Sequence, residues 1–358
     1  MTITNKTLAT QWFNLEQKRN FTRGLDIYTR AQRQIDQPYE TFQTNFPEIW
    51  SIIKHIQRQV NKPANNGRIV FNPDAEQKFW VTGQSGGAEL DTKQLCAEIL
   101  GALGRREPRT IIAHIREIKP QNPNEMLEKI HIRSQYSTIF TDNHSRECNI
   151  ALALEAFDGQ IIQAGERVSF NDLVGKRTRE RGFQEAKIIL DGEFVDGVGG
   201  GVCQASTTIF NAVMLAGLAI TQSHNHSIPI TYVPLGRDAM VSSLADLQFK
   251  NNTGAPIYIE AKTLDHGHKN SALVRIYGAQ KTHDYRPRVE VTTTGDPAEY
   301  EIQPRTALTY LDIYQDGELV NTKLIRKSRY KGKPRPIPNP PTTSPQNHDC
   351  DSISCALL

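Results

Sequence analysis

Long apolar runs are missing from this chain. Nowhere do its 358 residues reach the roughly 18 apolar positions that a membrane helix needs. The opening stretch, MTITNKTLATQWFNLEQKRNF, has no apolar run of signal-peptide length. Taken literally, the chain is soluble and not exported. Cysteine is scarce: Cys96, Cys148, Cys203, Cys350 and Cys355 make five, an odd number with no CxxC pair. That excludes a disulfide framework and argues against a zinc ribbon, and it leaves the redox compartment open. Charge imbalance is missing too. A net charge of +3 gives no argument for nucleic acid, and no zinc-finger or RNA-binding aromatic signature occurs. There is no internal repeat. What remains is an ordinary globular composition, 38% hydrophobic and 23% charged, over a length that suits two domains.

Along the chain, residues 1–60 read as helical, with Phe13, Leu15, Leu25, Ile27, Ile49, Trp50, Ile53 and Ile56 recurring at helical intervals. A break at Pro63, Asn65, Asn66 and Gly67 precedes two short strands, RIVFN and QKFWVTG, around a turn at Pro73 and Asp74. Asp91 and Thr92 open a helix with Leu95, Ile99 and Leu103 on one face, and Arg109 to Ile118 is a strand candidate. KPQNPNEM reads as the linker. Beyond it, Cys148–Phe157 is expected to be helical and Val168–Val174 extended. KIILDGEFV carries an Asp-Gly hairpin signal. A helix is expected from Cys203 to about Ala219. Then come the strands DLQFK, PIYIEAKT and ALVRIYG and a second hairpin on Asp316 and Gly317. The expected fold class is α+β: an α/β unit over 1–122, a β-rich domain over 131–280 with a helix starting at a glycine-rich cysteine turn, a β-hairpin extension over 281–335, and a disordered tail over 336–358.

The segment GVGGGVCQASTTIFNA carries the chemistry. Gly197, Gly199, Gly200 and Gly201 let the backbone take positive φ and approach another group closely. Cys203 follows in the predicted first helical turn, where free amides and the helix dipole favour anions. A thiol in that place tends to ionise, and the thiolate is the nucleophile. The same amides can hold an oxyanion, and Ser206, Thr207 and Thr208 bring hydroxyls to the mouth. A phosphate loop is a poor match, because no lysine precedes the Ser/Thr pair and Val202 stands where a dinucleotide loop needs glycine. A buried structural cysteine in a tight turn is the competing reading.

The second cluster is SHNHSIPITYVPLGRDA. His224 and His226 lie two apart, so on an extended strand they share a side, and either can serve Cys203 as base. Arg237 can clamp a carboxylate. Asp238 can orient a histidine or pair with Arg237. Cys203, His224 and His226 can also be read as zinc ligands, but a clear fourth is lacking.

Together these clusters resemble the VanW family, named for vancomycin B-type resistance proteins. The resemblance runs through YSTIFTDNHSRECNIALAL, GERVSFNDLVGKRTRERGFQEAKIILDGEFVDGVGGGVCQASTTIFNA, HNHSIPITYVPLGRDAMV and NNTGAPIYIEA, covering about residues 133–263. Residues 66–118, with FWVTGQSGGAELDTKQL, resemble the C-terminal part of a peptidoglycan-binding domain that often precedes it. The resemblance implies cell-wall work outside the cytoplasm, an L,D-transpeptidase activity with Cys203 as nucleophile, and peptidoglycan stem peptides as partners. By residue chemistry His226 is then the favoured base, with His224 behind it. Arg237, Gly199, Gly200, Gly201 and Ser206 are the substrate-binding candidates. No cofactor or metal is called for.

A cysteine peptidase using the same residues and a non-catalytic wall-binding module remain alternatives. Family members are usually exported, so sequence upstream of Met1 is expected to be missing. Lys323 to Arg335, with seven basic residues in thirteen, is a candidate contact for anionic wall polymer or a membrane surface. Cys355 with Ala356, Leu357 and Leu358 matches a prenylation box, read as coincidence.

Overall fold

The computed structural model describes residues 2–3, 42–105, 110–141, 144–190, 193–267 and 269–335. The chain divides after Ile130 into two compact units.

In the first unit β1 (Thr2–Ile3) pairs with β5 (Ile111–Ile112). Helix α1 (Phe42–Asn45) buries Phe42, and α2 (Pro47–Val60) buries Ile49, Ile53 and Ile56 at the helical spacing the sequence predicts; residues 4–41 of the predicted helical stretch lie outside the described residues. Strands β2 (Arg68–Phe71) and β3 (Phe79–Thr82) form the predicted hairpin, and β4 (Gly87–Leu90) pairs with β6 (Ile115–Ile118). Helix α3 (Thr92–Arg105) starts where expected, with the Asp91 carboxylate accepting the Gln94 amide at 3.0 Å. The stretch expected to be a plain linker holds a short helix, α4 (Pro123–Leu127), because Asn122 caps the Asn124 amide and Pro123 sits in its first turn.

The second unit is built on one helix packed against a sheet. Strand β7 (His131–Thr141) is followed by α5 (His144–Glu155), β8 (Ile161–Ile162) and β9 (Arg167–Ser169). Residues 170–174, expected to be extended, form helix α6 (Phe170–Val174) because the Ser169 hydroxyl caps the Asp172 amide. The predicted hairpin is β10 (Glu185–Leu190) with β11 (Glu193–Val198). Helix α7 (Val202–Leu215) ends four residues earlier than expected. Gly217 takes φ 73°, its amide returns to Met214 O and the Leu218 amide to Val213 O, which closes the helix and frees β12 (Ala219–Gln222) to pair with β13 (Gln248–Lys250). Strands β14 (Ile257–Asp265) and β15 (Lys269–Gly278) complete a four-stranded sheet in the order β7–β15–β14–β8.

The core joins α7 (Ala205, Ile209, Ala212, Val213) to the inner face of that sheet (Ile257, Ile259, Ala272, Val274, Ile276) and to α5 (Ile150, Ala153, Leu154). Beyond Gly278 come β16 (Asp284–Thr293), β17 (Tyr300–Ile302), β18 (Arg305–Gln315), β19 (Glu318–Tyr330) and β20 (Lys333–Pro334), with β16–β18–β19 as one antiparallel sheet. The hairpin between β18 and β19 turns on Asp316 and Gly317, both at positive φ. This sheet belongs to the second unit and contributes Leu311 to the same core. Among the described residues no helix is long and apolar enough to cross a membrane, a statement that does not extend to strands. Residues 336–358, with Cys350 and Cys355, lie outside the described part.

Candidate active site

The glycine turn is built for close approach. Gly201 caps α7 at φ 110°, and Gly199 takes φ 90°. Gly200 has ordinary φ, but a Cβ there would lie 2.6 Å from the Ala186 carbonyl group of β10. Asn149 of α5, fully buried, locks the turn: its amide nitrogen donates to Gly200 O and Gln184 O, and its oxygen accepts the Gln184 amide. The three glycines therefore set the path of the chain into the helix.

That path puts Cys203 in the first turn of α7, partly exposed, its thiol 3.4 Å from Val241 O. Its hydrogen-bonding and charge partner is the His226 imidazole. His226 is buried, and its Nδ1 lies 2.7 Å from Oδ2 of buried Asp238, leaving Nε2 for the sulfur. The same carboxylate oxygen accepts the His226 backbone amide at 2.7 Å. Its other oxygen, Oδ1, accepts the Tyr330 hydroxyl at 2.6 Å and lies 3.4 Å from Arg326 Nη2. Cysteine, imidazole and carboxylate thus form one line.

The electrostatics follow from this line. Burial pushes the Cys203 thiol up, but the His226 hydrogen bond and charge, with Arg177 beside them, outweigh it and hold the thiol below its ordinary value. Burial pushes His226 down, but hydrogen bonds to Asp238 and Cys203 and their charges raise it to about 9. Burial pushes Asp238 up, and His226, Arg326 and Tyr330 more than offset this. Each of the three shifts favours the charged form of its group.

Other candidates fall elsewhere. His224 is not on a strand with His226: β12 stops at Gln222, His224 forms a bridge to Met240, and its Nε2 lies 3.1 Å from the Gln222 amide. Ser206 is fully buried and donates to Ala239 O, so it fastens the helix instead of lining the mouth. Thr207 is also buried, accepting the Ala239 amide. Arg237 does not pair with Asp238. Its Nε donates to Asn211 and its guanidinium lies over the Tyr136 ring. The first-turn amides of Val202 and Gln204 are already bonded to Gly199 O and Gly201 O; the Cys203 amide has no such backbone partner among the described residues, and it is the donor left for an oxyanion. Among the described residues no group of three or more His, Cys, Asp or Glu is arranged to hold a metal. The zinc set is not assembled, because His226 Nδ1 is turned to Asp238 and His224 to Gln222.

Sequence reasoning missed four residues. Arg177, which holds the Asn171 side chain, is the cation coupled to the sulfur. Tyr232 lies beside Cys203 and Thr207, and burial keeps its phenol protonated. Arg326 and Tyr330 reach Asp238 from β19. Arg177 and Tyr232 stood inside the quoted motifs without a distinguishing pattern; Arg326 and Tyr330 stood in the basic stretch, where alternation was the available signal.

A family model described as VanW like protein matches residues 145–277. The Bacillus subtilis (strain 168) protein YoaR is 42% identical over 166 residues, 45% of this chain and 54% of that protein. The Enterococcus faecalis (strain ATCC 700802 / V583) vancomycin B-type resistance protein VanW is 27% identical over 124 residues, 33% of this chain and 44% of that protein. The chain spans about half the length of these curated relatives. No solved structure matches.

Proposed function

We propose that this chain, a VanW-family protein by its domain at residues 145–277, is a cysteine acyltransferase acting on peptidoglycan stem peptides. The observation that carries the chemistry is the Cys203–His226–Asp238 line, with the acid end buried and Cys203 partly exposed as a residue. In this reading the Cys203 thiolate attacks a peptide carbonyl, and the Cys203 amide stabilises the oxyanion. The imidazolium of His226 then protonates the departing amine as the C–N bond breaks, leaving a thioester. An acceptor amine attacks the thioester, neutral His226 takes a proton from it, and the C–S bond breaks to release the Cys203 thiolate as the new amide forms. Asp238 keeps the ring in the tautomer and orientation both half-reactions need.

The stem-peptide substrate, the L,D bond and a location at the cell wall rest on the family resemblance. Arg177, beside the sulfur, is better placed than Arg237 to meet a substrate carboxylate. The first unit in this reading serves to hold the wall.

The test is mass spectrometry of muropeptides incubated with the purified protein and with Cys203→Ala. New cross-linked products that require Cys203 support the proposal. Shortened stems without cross-links convert it to a peptidase, which uses the same residues with water as acceptor. Identical spectra with both proteins leave a binding module and sink the enzyme.

A further inference from the structure

We infer that Tyr330 and Arg326 of β19 are positioning residues that hold Asp238 for His226, so that the reactive unit extends past the family domain to residue 330. The inference rests on the cysteine chemistry proposed above and goes beyond it, because the matched domain stops at 277.

Asp238 has two oxygens and divides them. Oδ2 takes both donors from His226, the ring and the backbone amide. Oδ1 faces β19: it accepts the Tyr330 hydroxyl and lies 3.4 Å from Arg326 Nη2, which acts on it by charge. Arg326, Ser328 and Tyr330 alternate along one face of β19, with Ser328 fully buried and Tyr330 nearly so, while Lys327 and Arg329 point to solvent. The basic stretch that looked like one charged surface therefore has two faces, and the inner one serves Asp238.

The Tyr330 hydroxyl is fixed before it donates. It accepts the Gly236 amide at 2.7 Å and gives its proton to Asp238. Burial and the neighbouring carboxylate push its phenol up, so it remains a donor across ordinary pH. Arg326 Nη2 donates to Asp238 O at 2.6 Å and to Gly236 O at 3.1 Å.

The loop bearing His226 is fastened to the same strand. The Asn225 side chain donates to Arg329 O, and the Lys331 amide donates to Ser227 O. Thr309 of β18 adds a bond to Gly236 O that does not touch the carboxylate. Imidazole and carboxylate are thus both placed by a sheet that the family domain does not contain. A carboxylate at 1% exposure stays ionised only with such donors. Without the hydroxyl the carboxylate is free to turn away from the ring, which loosens its hold on the His226 imidazolium and so weakens the support for the thiolate. The charged and titratable groups facing this line are Cys203, Arg177 and Tyr232 toward the sulfur, and Arg326 and Tyr330 toward the acid.

The test is the pH dependence of Cys203 alkylation by iodoacetamide, read on the Cys203 peptide by mass spectrometry. It compares the wild-type chain with Tyr330→Phe, Arg326→Lys and Thr309→Val. In the wild type the thiolate midpoint lies below the ordinary cysteine value. Tyr330→Phe moves it up by roughly one pH unit, a tenfold change in the ionisation constant, and Arg326→Lys moves it the same way by less. Thr309→Val lowers the melting temperature and leaves the midpoint in place.

An ordinary midpoint in the wild type overturns the cysteine reading and this inference together. A low wild-type midpoint that both β19 variants retain overturns this inference alone. An equal shift in Thr309→Val shows general loosening and also overturns it. Should Tyr330→Phe fail to fold, Arg326→Lys decides.

Discussion

Two cysteines of the chain show how much the environment of a single residue decides. Cys96 sits in an apolar core without a charged partner, and burial pushes its thiol up to about 12. Burial pushes the Cys203 thiol up as well, yet it goes the other way, because His226, carrying Asp238 behind it, and Arg177 stabilise the anion. The sign of the pH dependence follows. The thiolate exists above the lowered Cys203 pKa, and the imidazolium exists below the raised His226 pKa of about 9. Acyl transfer is therefore expected to follow a bell with its upper limb near pH 9 and its lower limb below the usual cysteine value. Asp238→Asn removes the charge behind the imidazolium and turns one of two accepting oxygens into an NH2 donor. It should cut turnover by at least about a hundredfold, with little change in KM, since Asp238 does not meet substrate. Initial rates against pH and substrate concentration check both; an unaltered rate in Asp238→Asn would remove the acid from the line.

At the scale of the elements, helix α7 has two jobs. Its first turn presents the thiol, and its body fills the core between α5 and the four-stranded sheet. Gly200 joins the two jobs, because β10 passes so close that a side chain has no room. Gly200→Ala is expected to destabilise the protein by about 2 kcal/mol through overpacking against backbone, measurable as a lowered denaturation midpoint. It should also displace Cys203 and slow its alkylation at neutral pH. A variant with wild-type stability would show that the hairpin yields freely.

Much of this was legible beforehand. The Asp-Gly hairpins, the Asp91 cap and the cysteine helix all carry local signals: turn residues, side-chain caps, periodic apolar positions. Two boundaries were misread although their signals were present. Ser169 caps three residues ahead of Asp172, and Gly217 stops α7. The site was half legible. Cys203 and His226 were found by residue type, and Asp238 was left between two roles. Its partners Arg326 and Tyr330 lie 88 and 92 residues downstream, and no local pattern links positions that meet only through sheet packing. His224 was kept because a strand was assumed where the chain leaves β12 at Gln222.

For the molecule as a whole, the division after Ile130 and the dependence on the last sheet carry different consequences. Residues 281–335 looked like an extension, yet they share the second unit's interior. Ala307, Thr309, Leu311, Ser328 and Tyr330 are all buried, and Gly217 leaves room for the Tyr285 ring. A chain ended at Gly278 would strip Leu311 from the core and take the Tyr330 and Arg326 donors from Asp238. Each large side chain lost is worth about 1.5–3 kcal/mol, and a buried carboxylate left without its partners costs about 3–5 kcal/mol. Against a total stability of about 5–15 kcal/mol, the matched domain 145–277 is not expected to survive the cut as a cooperative fold. The measurement is thermal unfolding followed by far-UV circular dichroism, with limited proteolysis beside it, on chains ended at Gly278 and at Arg335. The longer chain should melt in the second unit with a sharp transition and resist cleavage through α7. The shorter should lose that transition and be cut around the glycine turn at 197–201. If the shorter chain instead melts sharply and keeps a reactive Cys203, the C-terminal sheet is an accessory, and Asp238 finds its second donor elsewhere.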